Sequence, residues 1–94
     1  MAPRKAAEQF LERHPEAAQY RVTLYGSLAA TGRGHLTDKA LGDVFTPRPC
    51  EILWKPETEL PFHPNGMYFE ALAGDDRVLE KWEVYSVGGG ALQE

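Results

Sequence analysis

The sequence predicts an α+β domain, helices packed on one face of a small mixed or antiparallel sheet, and three observations carry that prediction. The chain opens on apolar residues at helical spacing, continues through alternating β-rich runs, and joins two extended runs through the turn-forming string Ala73-Gly74-Asp75-Asp76. Ninety-four residues with 43% hydrophobic and 26% charged side chains suffice for one core, so 1–94 is read as a single domain.

Pro3, Ala6, Ala7, Phe10, Leu11 and His14 predict a first helix over 3–14, ended by Pro15, with Glu8, Glu12 and Arg13 on its wet face. Tyr20, Val22 and Leu24 alternate with Arg21, Thr23 and Tyr25 in a first strand stopped by Gly26 and Ser27. A short helical turn is expected over 28–30, and a second helix from near Leu36 to Leu41 or Gly42. Thr46-Pro47-Arg48-Pro49 breaks the pattern, 50–54 forms a short strand, and three prolines mark 55–66 as loop. The runs 67–72 and 78–87 make an antiparallel hairpin, with Phe69 and Trp82 read as core; after Gly88-Gly89-Gly90, residues 91–94 read as a tail.

Ten basic against fourteen acidic side chains give a net charge of −4, which argues against a nucleic-acid partner. No apolar run approaches a membrane span and MAPRKAAEQF lacks a signal-peptide core, so a cytoplasmic, membrane-free protein is expected. Cys50 is the single cysteine, which excludes an internal disulfide and a cysteine-built cluster within these residues.

Three segments carry candidate chemistry. Gly32-Arg33-Gly34-His35-Leu36-Thr37-Asp38 enters a helix, where free amides and the positive helix end suit a carboxylate or phosphate. The same glycines also suit a plain tight turn, with Thr37 or Asp38 as cap and His35 on the surface. His63 sits in a proline-stiffened loop beside Asn65-Gly66, either positioned or simply exposed. Tyr85-Ser86-Val87-Gly88-Gly89-Gly90 ends a strand in unobstructed amides, an anion concavity or a frayed end. His14, His35 and His63 lack the short paired spacing of zinc ligands, and neither a serine elbow nor a Walker-type phosphate loop occurs.

Taken in order, Tyr25-Gly26-Ser27-Leu28-Ala29-Ala30-Thr31-Gly32-Arg33-Gly34-His35 with Thr37-Asp38, Leu60-Pro61-Phe62-His63 with Asn65-Gly66-Met67, and Tyr85-Ser86-Val87-Gly88-Gly89-Gly90 resemble the iron-sulfur-dependent bacterial L-serine dehydratases. The resemblance is to their β domain or β chain and runs from Met1 to about Gly90. It implies a fold similar to the allosteric substrate-binding domain of some phosphoglycerate dehydrogenases. It implies that L-serine loses water and then ammonia to leave pyruvate, with the substrate hydroxyl on a 4Fe-4S cluster held by an α domain and not by this chain. By position, His35 and His63 match the catalytic histidines. Gly32, Arg33, Gly34, Thr37, Asp38, Asn65, Ser86, Gly88 and Gly89 are the implied substrate-binding set.

Two departures from the family accompany the resemblance. In the family a serine-rich S-S-S-H-T segment stands just before the M-x-P that begins the first helix, and here Met1-Ala2-Pro3 is the start of the chain, so a substrate-site element is expected to be missing and the domain truncated at its N-terminus. The spacer from Ala40 to Leu60 is also shorter than in some members. Activity is thus expected only beside an α domain or chain. The competing reading is a stand-alone regulatory domain that binds a small anion or amino acid. An unpaired sheet face or edge favours either a homodimer or an α-domain contact.

Overall fold

Helix α1 (Ala2–Arg13) converts the predicted period into a buried stripe: Ala6, Ala7 and Phe10 are fully enclosed, while Glu8, Glu12 and Arg13 stay exposed. The architecture comes from a computed structural model that describes residues 2–26, 29, 37–57, 65–86 and 92–93. After α1 come β1 (Gln19–Tyr25), α2 (Thr37–Phe45), β2 (Cys50–Lys55), β3 (Gly66–Leu72), β4 (Val78–Ser86) and a two-residue β5 (Leu92–Gln93). The strands form one sheet in the order β2-β1-β3-β4-β5. β1 and β2 run parallel and every other pair antiparallel, so the sheet is mixed. A parallel pair needs a crossover, and α2 lies within it.

Strand alternation places Tyr20, Val22 and Leu24, Met67, Phe69 and Ala71, and Val84 on one face, where they merge with Phe10 of α1 and Leu41 and Phe45 of α2 into a single core. Both described helices therefore cover the same face, and the fold is α+β. Phe10 is the hub: its ring lies 5.6 Å from Phe69, 6.2 Å from Tyr20 and 6.3 Å from Trp82, onto which it stacks. Trp82 is half-buried, with Arg13 lying over its ring at 4.9 Å, so it belongs to the core rim. On the opposite face Arg21 stands in register between Glu51 and Glu70, 2.8 Å and 3.6 Å away. Partly exposed pairs of this kind add at most about 1 kcal/mol each.

The structure departs from the sequence reading in three places. Helix α2 continues to Phe45 rather than stopping at Leu41 or Gly42. Interior glycine costs about 1 kcal/mol, less than the roughly 1.5–3 kcal/mol gained by burying a side chain such as Phe45, which is fully enclosed and stacks on Tyr20 at 4.2 Å. Lys55 and Gly66, read as loop, are the last residue of β2 and the first of β3. Residues 92–93 are a strand and not a tail: Leu92 pairs with Ser86 and packs against the core, which satisfies part of the edge of β4. Of the helical turn expected over 28–30, only Ala29 lies within the described residues, where it is helical and buried. Val87 falls outside them.

Among the described residues no helix is long and apolar enough to cross a membrane. The hairpin holds as predicted, closed by Ala73 N–H to the Arg77 carbonyl at 2.8 Å and by Asp76 at a φ of 68°, a value aspartate tolerates better than most residues.

Candidate active site

The register of the sheet defines one end as a rim. Tyr25 ends β1 opposite Lys55, which ends β2; Leu24 pairs with Met67 beside Gly66, which opens β3; Gly66 pairs with Tyr85 at the end of β4; and Ser86 pairs with Leu92 of β5. Helix α2 returns the chain from the end of β1 to Cys50, level with Tyr20 at the far end, so Thr37 opens it on the rim side. The elements that flank residues 27–36, 58–64 and 87–91 thus all finish or begin at the same end of the sheet. Gly26, at the exit of β1, has a φ of 53°, where a side chain would be strained by roughly 1 kcal/mol or more.

Four of the predicted site residues are described. Asn65 and Ser86 are brought together: the Ser86 N–H donates to the Asn65 carbonyl at 3.0 Å, extending the β3–β4 ladder onto the rim. Thr37 is 4% exposed and is buried at the start of α2. Asp38 is exposed in the first turn of α2, where its carboxylate already complements the positive helix end. His35, His63, Gly32, Arg33, Gly34, Gly88 and Gly89 lie outside the described residues.

His14 sits at the opposite end of the sheet: its carbonyl accepts from the Tyr20 hydroxyl at 2.6 Å and its ring lies 4.9 Å from Phe10. His14 therefore lies away from the rim. No group of three potential metal ligands occurs among the described residues.

The sequence reading missed the phenols beside the rim. Tyr25 and Tyr85 flank Gly66, and Tyr68 is close enough for its charge to act on Tyr25. Burial, then Glu83, Tyr68 and Glu70, raises the Tyr25 phenol above its usual range. A hydrogen bond donated to Glu83, with burial second, pushes Tyr85 up to about 12. Both are neutral hydrogen-bonding groups at ordinary pH and not bases. The signal was present in the sequence, since Tyr25 and Tyr85 are the first residues of two of the motif strings.

Cys50 starts β2 at the end away from the rim, and burial pushes its thiol up to about 12. The unfolded thiol ionises near 9.0, so folding is favoured fully below that pH and loses up to about 1.4 kcal/mol per unit between 9 and 12. Urea titrations at successive alkaline pH values should give a shallower fall of stability in Cys50→Ala than in the parent. Equal slopes would refute the burial account.

The described residues form a small α+β domain in which β1, β2 and β4 end, and β3 and β5 begin, at one rim. The family described as serine dehydratase beta chain matches residues 1–45 and 42–94, and the chain belongs to that family. It is 34% identical over 133 residues to an L-serine dehydratase of Mycobacterium bovis, covering 98% of this chain and 29% of the relative. It is 29% identical over 136 residues to L-serine dehydratase TdcG of Escherichia coli, covering 100% of this chain and 30% of the relative. The chain thus spans about three-tenths of the length of the curated relatives it matches. Since 133 residues of the relative align with 98% of a 94-residue chain, about forty have no counterpart here. The two family matches overlap at 42–45, in the last turn of α2.

Proposed function

We propose that this chain is the substrate-cleft part of an L-serine dehydratase, converting L-serine to pyruvate and ammonia together with a cluster-bearing α chain. The observation that carries the reading is the rim. The three motif segments of a serine dehydratase β chain connect elements whose ends share one end of the sheet, the condition for a common cleft.

The residues of this chain do not suit a resident cluster, which needs several thiolates, whereas Cys50 is a single protonated thiol away from the rim. In this reading the 4Fe-4S cluster is held by the α chain, and this chain binds, orients and moves protons. Backbone amides at Gly32, Gly34, Gly88 and Gly89, with Arg33, hold the substrate carboxylate. Asn65 and Ser86 add hydrogen bonds from the β3–β4 end, and the Asp38 carboxylate suits the substrate ammonium. His35 and His63 divide two tasks: binding the carboxylate as imidazolium, and taking the Cα proton as a neutral base. Loss of that proton with the β-hydroxyl gives aminoacrylate and water, and hydrolysis of its imine tautomer gives pyruvate and ammonia.

The test is anaerobic reconstitution with a purified L-serine dehydratase α chain. Pyruvate should form from L-serine only when both chains are present. Calorimetric titration of the isolated chain with serine, phosphate and citrate separates the regulatory alternative: saturable binding alone, with α-chain turnover indifferent to this chain, defeats the dehydratase reading.

A further inference from the structure

Tyr85 is 4% exposed yet stands outside the core cluster, on the sheet face that neither described helix covers. The register accounts for its burial. Tyr85 lies directly opposite Gly66, whose lack of a side chain leaves room for a ring to settle onto the β3 backbone, and Tyr25 flanks that glycine on its other side. An aromatic residue across from a glycine pins register and covers the backbone that the glycine leaves bare. Gly66 is buried in keeping with this. The Tyr85 hydroxyl donates to Glu83, two residues back on the same face, so the far end of the ring is held as well.

We propose that Tyr85 and Gly66 form a positioning pair that holds Asn65 and Ser86 in place for the substrate, an assignment that rests on the dehydratase reading. The pair is the last rung of the β3–β4 ladder before the 3.0 Å bond from the Ser86 N–H to the Asn65 carbonyl, so each partner is the chain neighbour of one of those two residues. Strand alternation directs the Ser86 side chain to the face opposite the phenol, which therefore acts through the backbone. A ring laid over Gly66 limits the pivoting that glycine otherwise allows between Asn65 and the strand. That fixes the spacing of the two substrate-binding groups, and small errors in such spacing are costly to an active site.

Backbone conformation does not demand glycine at 66. Among the described glycines only Gly26 has a positive φ, and Gly66 is an extended residue of β3 whose conformation any side chain can adopt. Space is what demands it: a methyl at 66 stands about 4.5–5.5 Å from the Tyr85 Cβ, in the room this assignment gives the ring. Tyr68 and Glu83, paired across β3 and β4, make the next row of the same face and wall the ring in from behind, close enough to Tyr25 for their charges to act on it.

The test compares Gly66→Ala, Tyr85→Leu and Tyr85→Phe, both in the reconstituted enzyme and as full chains alone. Gly66→Ala and Tyr85→Leu should raise KM for L-serine about tenfold with kcat within about twofold of the parent. Tyr85→Phe keeps the ring and loses only a bond to the exposed Glu83, so its KM should stay within about threefold. On the chain alone, hydrogen exchange at the Ser86 amide should quicken about tenfold in the first two variants while the amides of β1 keep their protection. Gly66→Ala separates positioning from folding, since alanine suits a strand at least as well as glycine and its urea midpoint should not fall. With an active parent, a parental KM and parental Ser86 exchange in Gly66→Ala and Tyr85→Leu overturn the positioning role alone, as do equal losses in Tyr85→Phe and Tyr85→Leu. A parent mixture that forms no pyruvate overturns the dehydratase reading and this assignment with it.

Discussion

Replacing either His35 or His63 by alanine is expected to lower pyruvate formation by the reconstituted enzyme about a hundred- to ten-thousandfold, the range for losing a positioned acid–base group. Each histidine belongs to a segment tied to the rim by described elements: His35 stands between β1 and the start of α2, His63 between β2 and the start of β3. A histidine that binds the substrate carboxylate should raise KM when lost, whereas one that takes the Cα proton should lower kcat with KM little changed and remove one limb of the pH–rate profile. The split therefore assigns the two roles. A urea midpoint unchanged in both variants separates loss of chemistry from loss of folding. If pyruvate formation survives unchanged in either, that residue has no part in the chemistry.

Phe10→Ala is expected to destabilise the domain by about 3–5 kcal/mol, because it deletes the ring on which Phe69, Tyr20 and Trp82 converge. A domain of this size is typically stable by roughly 5–15 kcal/mol, so the variant should be marginal and partly unfolded at moderate urea concentration. Leu79→Ala is the control, since Leu79 is 39% exposed and should move stability by no more than about 0.5 kcal/mol. Similar midpoints for the two variants would place the centre of the core elsewhere than between α1 and the middle of β3 and β4.

The length of α2, the strand at 92–93 and the rim phenols were not legible in the same way as the hairpin and α1. Periodicity reports which residues are apolar, and it located Ala6, Ala7 and Phe10 or Val22 and Leu24 correctly because each element pays its own way in burial. Gly42 is locally a helix stop, and only the socket beside Tyr20 makes continuing to Phe45 favourable. Leu92 and Gln93 carry no strand signal of their own; the unpaired edge of β4 supplies it.

By itself the sequence determined the α+β class, the hairpin, most of the core and the family, since these rest on local patterning and on residue strings that keep their order along the chain. The tertiary structure decided that the elements flanking the three motif segments meet at one end of the sheet, that His14 lies at the other, and that β2 stands at the edge of the sheet among the described residues. The reason is physical: strand order, strand direction and register are relations between distant residues, fixed by backbone pairing and the shared burial of one face, and no single segment contains them.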